Sequence, residues 1–224
     1  MNSNPIKIQD PSKLIKEAKD IISKVSTWNK SKTYKHAFKD QLIDVNTYTE
    51  DFNNDIWFAR SSILDKQLTA KYKDKFFKYL IGDLDIKENH STHEKEYIHE
   101  FFDYELKESD NSYIMKAYYQ LPFPMKRRLF YEWIHIERHE DEAYLFSFSL
   151  DPEVFEEGKE IEDGYVIGKY TSIEHIKIMD GELNWVMCTA STPGGLIPNW
   201  VSRMSIPGAI SKDVPSFLNY IDKF

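Results

Sequence analysis

The sequence predicts an α+β fold: helices first, then a run of antiparallel strands, then a long closing helix. Three observations lead there. Apolar residues recur at helical spacing near both ends of the chain, at Leu14, Ile15, Ala18, Ile21, Ile22 and Val25 and again at Val214, Phe217, Leu218 and Ile221. From Tyr113 to Thr192 the period changes to two, the mark of strands. Asp180-Gly181 sits between two such stretches as a hairpin turn does, so the strands follow one another as an antiparallel meander.

The elements follow in order. Asp10-Pro11 places a capping side chain before a proline at the first helical position. Tyr34 to Leu64 breaks into shorter extended segments, clearest at Ile56-Trp-Phe-Ala-Arg60. Leu68, Tyr72, Phe76, Phe77 and Leu80 form a helical stripe that stops at Gly82. Ser91 and Glu94 have the spacing of a capping box, which predicts a third helix burying Tyr97, Ile98, Phe101 and Phe102. Strands are then expected over 113–120, 128–137, 144–150, 165–178 and 183–192. Pro193-Gly-Gly195 ends the last of them, and Pro207 is expected to kink or divide the closing helix. No internal repeat and no long linker interrupts the chain, so the expected organisation is a flexible N-terminus over 1–9 and one domain over 10–224.

Composition bounds the function. Apolar residues make up 41% of the 224, with 14 Phe, 14 Tyr and 5 Trp, enough for a substantial core or for an aromatic-lined pocket. The net charge of −8 argues against nucleic acid as a partner, since phosphate binding needs clustered Lys and Arg. The densest basic run, Lys126-Arg127-Arg128, has the length of a solvated turn. The single cysteine, Cys188, forms no internal disulfide, fits a reducing compartment and lies in an apolar strand pattern. Met1 to Asp10 lacks the apolar stretch of a secretory signal, and no run approaches the about 18 apolar residues of a membrane span. The expected location is therefore the cytoplasm.

Two segments carry a family resemblance. Pro193-Gly-Gly-Leu-Ile-Pro-Asn-Trp-Val201 followed by Val214-Pro-Ser-Phe-Leu218 resembles the end of a START domain, where the last strand runs into the closing helix. Leu121-Pro-Phe-Pro-Met125, with Arg128 and an aromatic strand after it, is similar to the proline-bearing turn between two START strands. Both segments look most like the phosphatidylcholine-transfer branch, and the resemblance covers residues 113–224. It implies a helix-grip fold, a curved antiparallel sheet around the C-terminal helix with an apolar cavity between them. It also implies a carrier or sensor of a lipid, phospholipid favoured, or of another bulky apolar molecule, with transient contact with a membrane. No cofactor is implied.

The candidate ligand contacts follow from this frame. Met115, Tyr119, Tyr131, Trp133, Phe146, Trp185 and Met187 are taken as the inward residues of their strands, with Ile197, Trp200 and Met204 on the closing helix. Arg60 stands in an aromatic strand, where a guanidinium must be paired, either with a ligand's polar end or with an internal carboxylate. His135, Glu137 and His139 alternate on one strand face but lack a fourth ligand at metal spacing, and His90, His93 and His99 read as a solvated helix start. No nucleophile elbow, phosphate loop or dinucleotide fingerprint is present. An enzyme using a cavity Tyr or His such as Tyr131 or His135, and an interaction protein with a filled centre, are the alternatives.

Overall fold

The computed structural model describes residues 1, 3–7, 10–83, 88–109, 112–121, 125–161, 163–192 and 199–224, and for 199–203 the backbone alone. Helix α1 (Pro11–Ser23) begins as expected: the Asp10 carboxylate accepts from the Lys13 N–H at 3.1 Å, and Pro11 occupies the first turn. Ahead of it, where a loose N-terminus is expected, Ile6 is tied down by a parallel bridge to Leu150. Its N–H donates to Ser149 O at 2.8 Å, and its own carbonyl accepts from Asp151 N at 3.0 Å.

Strands β1 (Asn29–Phe38), β2 (Gln41–Phe52) and β3 (Asp55–Leu64) form the first antiparallel run. Helix α2 (Lys66–Lys75) is capped by Asp65 and widens into a π-helical turn, Phe76–Ile81, that ends at Gly82. Gly82 has φ +73°, and a Cβ there would lie 2.3 Å from the His90 backbone nitrogen, so both dihedral and space demand glycine.

The third helix departs from expectation. Helix α3 (His90–Glu94) lasts little more than one turn and is capped by Asn89, which accepts from the Thr92 N–H, rather than by Ser91. Phe101 and Phe102, expected on its buried face, begin strand β4 (Phe101–Ser109) instead. Pairing of β4 with β5 (Ser112–Tyr119) satisfies a whole ladder of backbone groups, which outweighs a local capping signal.

Strands β6 (Arg128–Arg138) and β7 (Glu142–Ser149), helix α4 (Pro152–Glu156), and strands β8 (Val166–Ile167), β9 (Lys169–Met179) and β10 (Glu182–Thr192) follow. Asp180 and Gly181 both take positive φ, 53° and 84°, as the tight β9–β10 turn requires. Sheet order is β1-β2-β3-β10-β9-β7-β6-β5-β4, with the short β8 parallel to β6. The expected meander is thus present as two runs, joined by β3–β10 pairing from Trp57↔Ala190 to Leu64↔Leu183.

Helix α5 (Asn199–Ile221) lies across the concave face and packs on β1, β2 and β3. Phe217 meets Phe76 and Trp185 edge-on at 5.0 and 5.4 Å, and Val214, Leu218 and Ile221 bury beside it. The helix runs through Pro207 and Pro215 without dividing, so of the two effects expected of Pro207, a kink or a division, the division does not occur. Burial of the apolar face offsets the about 3 kcal/mol that an interior proline costs.

The opposite, convex face is equally apolar. There α1, Val25 and Trp28 cover Trp57, Tyr131, Trp133, Phe146, Phe148 and their neighbours. The sheet is therefore buried on both sides. This decides which residues reach the site.

Candidate functional site: a polar-floored cavity under helix α5

Between the concave sheet, α3 and α5 lies a cavity enclosing about 50 Å³ of free space. Its apolar wall is Leu80, Ile98, Met115, Ile134, Leu145, Trp185 and Met187; its polar floor is built from Arg60, Glu132, Ser147, Ser172 and Glu174, with His90, Glu94 and Asp213 above. Tyr97, Tyr119 and Tyr170 complete the lining. Register explains the floor. Arg60 pairs across Met187 to Glu174, so a cation and an anion stand two strands apart on one face.

Arg60 is 2% exposed. Its Nη2 donates to Glu174 Oε1 at 3.0 Å, and the guanidinium lies over the Trp185 ring, 4.2 Å from its centre. Glu174 also accepts from Trp185 Nε1, which fixes the ring. Of the two readings for Arg60, the internal carboxylate is therefore present. Yet Nε and Nη1 of Arg60 have no hydrogen-bond partner among the described residues. Unpaired buried donors cost stability, roughly 1–3 kcal/mol each.

Burial works against ionisation of Glu132, Asp213 and Glu174 around it. Burial pushes the Glu132 carboxyl up to about 8, although Ser147 donates to it and opposes the shift. Burial likewise raises Asp213 to about 7; Arg60 counters this, while Glu174 and Glu94 add to it. Glu174 is also raised by burial, with Arg60 and the Trp185 N–H pulling the other way. His90 behaves differently. Burial presses its imidazole down, but Glu94 at 3.3 Å and the Leu80 carbonyl outweigh burial and raise it. The cavity thus sets two basic groups, Arg60 and His90, beside carboxyls of which Glu132 and Asp213 are raised toward neutrality or above it by burial.

The structure brings Arg60, Met115, Tyr119, Trp185 and Met187 together at this cavity. It does not bring Tyr131, Trp133 or Phe146 there, and their expected inward orientation is corrected. The Tyr131 hydroxyl donates to Glu156 of α4 at 2.6 Å, Trp133 Nε1 donates to Ser112 at 2.7 Å, and Phe146 stacks beside Phe148 on the convex side. The physical reason is the doubly covered sheet: where both faces are buried, bulk no longer marks the inner one, and a shift of one residue exchanges the faces. Met204, expected against the ligand, is 76% exposed. Ile197 and the side chain of Trp200 fall outside the described residues.

His135 stacks on Trp133 at 5.5 Å and Glu137 pairs with Lys19, both on the convex side. Among the described residues no group of three or more His, Cys, Asp or Glu is placed to hold a metal. Sequence reasoning missed Glu132, Glu174, His90, Glu94, Asp213 and Tyr170. The available signal was a lone acid inside an apolar strand, as in Phe-Tyr-Glu132-Trp-Ile and Ser-Ile-Glu174-His-Ile.

Comparison with known proteins places the chain. The family model described as "Protein of unknown function (DUF3074)" matches residues 57–221. The chain belongs to the DUF3074 family. No curated protein matches it. Among solved structures, human STARD10 superposes on the DUF3074 chain with a TM-score of 0.68 at 12% identity, covering 99% of this chain and 83% of that one. Human StAR-related lipid transfer protein 5 gives 0.62 at 10% identity, over 96% and 99%. The human StarD13 lipid transfer and protein localization domain gives 0.57 at 12%, over 95% and 98%. At such identities the likeness establishes the fold: the DUF3074 chain has the START helix-grip architecture, a curved antiparallel sheet gripping its C-terminal helix. None of its described helices is long and apolar enough to cross a membrane.

Proposed function

We propose that this chain binds a lipid or another bulky apolar molecule between the concave sheet and α5, and carries or senses it in the cytoplasm without transforming it. The observation that carries the reading is the cavity itself. It joins an apolar wall of Met115, Trp185 and Met187 to a buried guanidinium, Arg60, with two unused donors. An apolar body and a polar end on the ligand would satisfy both. Two of the proteins sharing the fold carry lipid transfer in their names, which supports the same assignment here.

Residues 60, 115, 119, 185 and 187 form the proposed ligand wall, and Ile197 and Trp200 on the closing segment belong to the same proposal. Phospholipid, the ligand favoured by the sequence resemblance, is the class to test first. The closed cavity holds about 50 Å³, against the roughly 300–1,000 Å³ of ligand sites. Binding of a ligand of that size therefore requires the cavity to widen.

The test is organic extraction of the purified protein followed by lipid mass spectrometry, with native mass spectrometry against a sterol and phospholipid panel. A stoichiometric apolar ligand is expected. Consistent absence of any bound species across the panel overturns the proposal.

A second reading has one specific observation in its favour: Glu132, Asp213 and the His90–Glu94 pair line one cavity, an arrangement suited to acid–base work. Chemical change of the bound ligand that stops in Glu132→Gln would promote it above carriage.

A further inference from the structure

Glu132 is a buried acid that no cation of the fold serves. It is 3% exposed, and its carboxyl accepts from one hydroxyl among the described residues, that of Ser147. The other acids of the cavity have basic neighbours. Glu174 holds Arg60 at 3.0 Å, Glu94 holds His90 at 3.3 Å, and Arg60 also opposes the burial of Asp213. Neither base is left for Glu132. Arg60 lies on β3, four strands along the sheet from β6, and both ring nitrogens of His90 are engaged, one by Glu94 and one by the Leu80 carbonyl. An acid that served the fold alone would be tied to several of its donors.

Aromatic rings gather beside it. Phe130, two residues earlier on the same face of β6, meets Tyr119 edge-on at 5.3 Å and Tyr170 at 6.2 Å. The Phe130 ring is seated on Gly168, where a Cβ would lie 2.2 Å from it, so glycine alone leaves the ring its place. Tyr119 and Tyr170 line the cavity together with Glu132, and all three rings are half-buried. A carboxylate beside several ring faces suits an ammonium group: the acid supplies charge and an acceptor, and the rings supply their negative faces.

We infer that the ligand carries a protonated amine on its apolar body, with the ammonium held by Glu132 and the Tyr119, Phe130 and Tyr170 rings. This rests on the ligand reading above and narrows it to one chemistry, an amphiphilic amine, from a single-chain base or from the amino headgroup of a lipid. Arg60, buried on β3 with two unused donors, takes an oxygen of the same molecule. Binding carries a signature. Burial holds the Glu132 proton up to about 8. An ammonium beside it favours the carboxylate, so a bound amine releases that proton near neutral pH, and an alcohol does not. The titratable groups around Glu132 are Glu94 and His90 of α3, Tyr113 and Tyr119 of β5, and Tyr170 of β9, with Asp213 of α5 and Glu174 of β9 elsewhere in the lining. Burial raises the three tyrosines, which stay protonated at that pH.

The experiment is calorimetric titration near neutral pH in two buffers of different ionisation enthalpy. The probes are a long-chain alkylamine, the alcohol and the carboxylic acid of the same chain, phosphatidylethanolamine and phosphatidylcholine. An amine-bearing probe is expected to bind at least about tenfold more tightly than its amine-free or quaternary counterpart and to release up to about one proton. Selectivity for the alkylamine over the alcohol assigns the amine to a single-chain base, and selectivity for phosphatidylethanolamine over phosphatidylcholine assigns it to a headgroup. Glu132→Gln, close in size and still able to accept from Ser147, should lose the selectivity and the proton release while binding the alcohol within about threefold of wild type. Glu108→Gln, at an exposed position of β4, removes the same formal charge and should change neither. Thermal melts establish that both variants fold. Absence of amine selectivity in both pairs of probes, or selectivity undiminished in Glu132→Gln, overturns this inference alone. Failure of every probe to bind overturns the ligand reading with it.

Discussion

Replacing Arg60 by Met separates what the guanidinium does for the fold from what it does for a ligand. Arg60 is 2% exposed and pairs with Glu174 at 3.0 Å, so its removal strands a carboxylate already held up by burial. Breaking one partner of such a pair costs about 3–5 kcal/mol. For a chain of this size each kcal/mol lowers Tm by about 2–4 °C, so a drop on the order of 10 °C is expected. The double variant Arg60→Met/Glu174→Gln removes both charges and keeps an acceptor for Trp185 Nε1. It also deletes the two unsatisfied donors of Arg60. Its Tm should return to wild type or exceed it, since exchanging a buried pair for neutral groups is often neutral or stabilising by about 1–4 kcal/mol. Ligand retention should fall in both variants. Thermal unfolding and co-purified lipid are measured on the same preparations. A double variant as unstable as the single one refutes the account of the pair, and full ligand retention in a stable double variant refutes the binding role.

Four further outcomes follow. Glu132 holds its proton up to about pH 8 in the folded chain, whereas an unfolded glutamate releases it near 4.5. Wild-type stability should therefore decline as pH rises through that window, while Glu132→Gln, unchanged near pH 5, should be the more stable form at about pH 9; parallel Tm profiles would contradict this. Gly82→Ala, forced into positive φ and onto the His90 backbone, should cost at least about 1–3 kcal/mol in denaturant midpoint. Phe217→Ala should cost about 3–5 kcal/mol in the same assay, because the ring is buried between Phe76, Tyr97 and Trp185. Met204→Ser should alter stability by no more than about 0.5 kcal/mol, as its side chain stands in solvent.

The sequence made the elements far more legible than the faces. Asp10-Pro11, Gly82 and Asp180-Gly181 are local signals with local physics, and they start, end and turn their elements where expected. The Ser91–Glu94 signal was local too, but Phe101 and Phe102 answer to a partner strand, which no window around them reveals. Strand orientation was legible for β10, whose Trp185 and Met187 do reach the cavity, and not for β6 or β7. In Tyr131-Glu132-Trp133 the aromatic pair turns outward under the α1 and α4 cover, and the acid turns inward. A rule that places bulk inside and charge outside inverts at such a strand. Arg60 was legible as a buried charge needing a partner, but the identity of that partner, Glu174, depended on a register set through β10.

The β3–β10 seam has a consequence for how the protein is made. Leu64 and Leu183 are separated by more than half the chain, yet their strands are hydrogen-bonded neighbours. During synthesis β1 to β3 emerge first as a hairpin array whose last edge, carrying Trp57 and Phe58, waits unpaired. The chain must be extended through Thr192 before that edge is covered, and through Ile221 before the concave side is. Contacts of such long range close slowly, and an open edge rich in aromatics is prone to association in the meantime. A nascent chain stalled before Glu182 would thus expose the β3 edge to neighbouring chains.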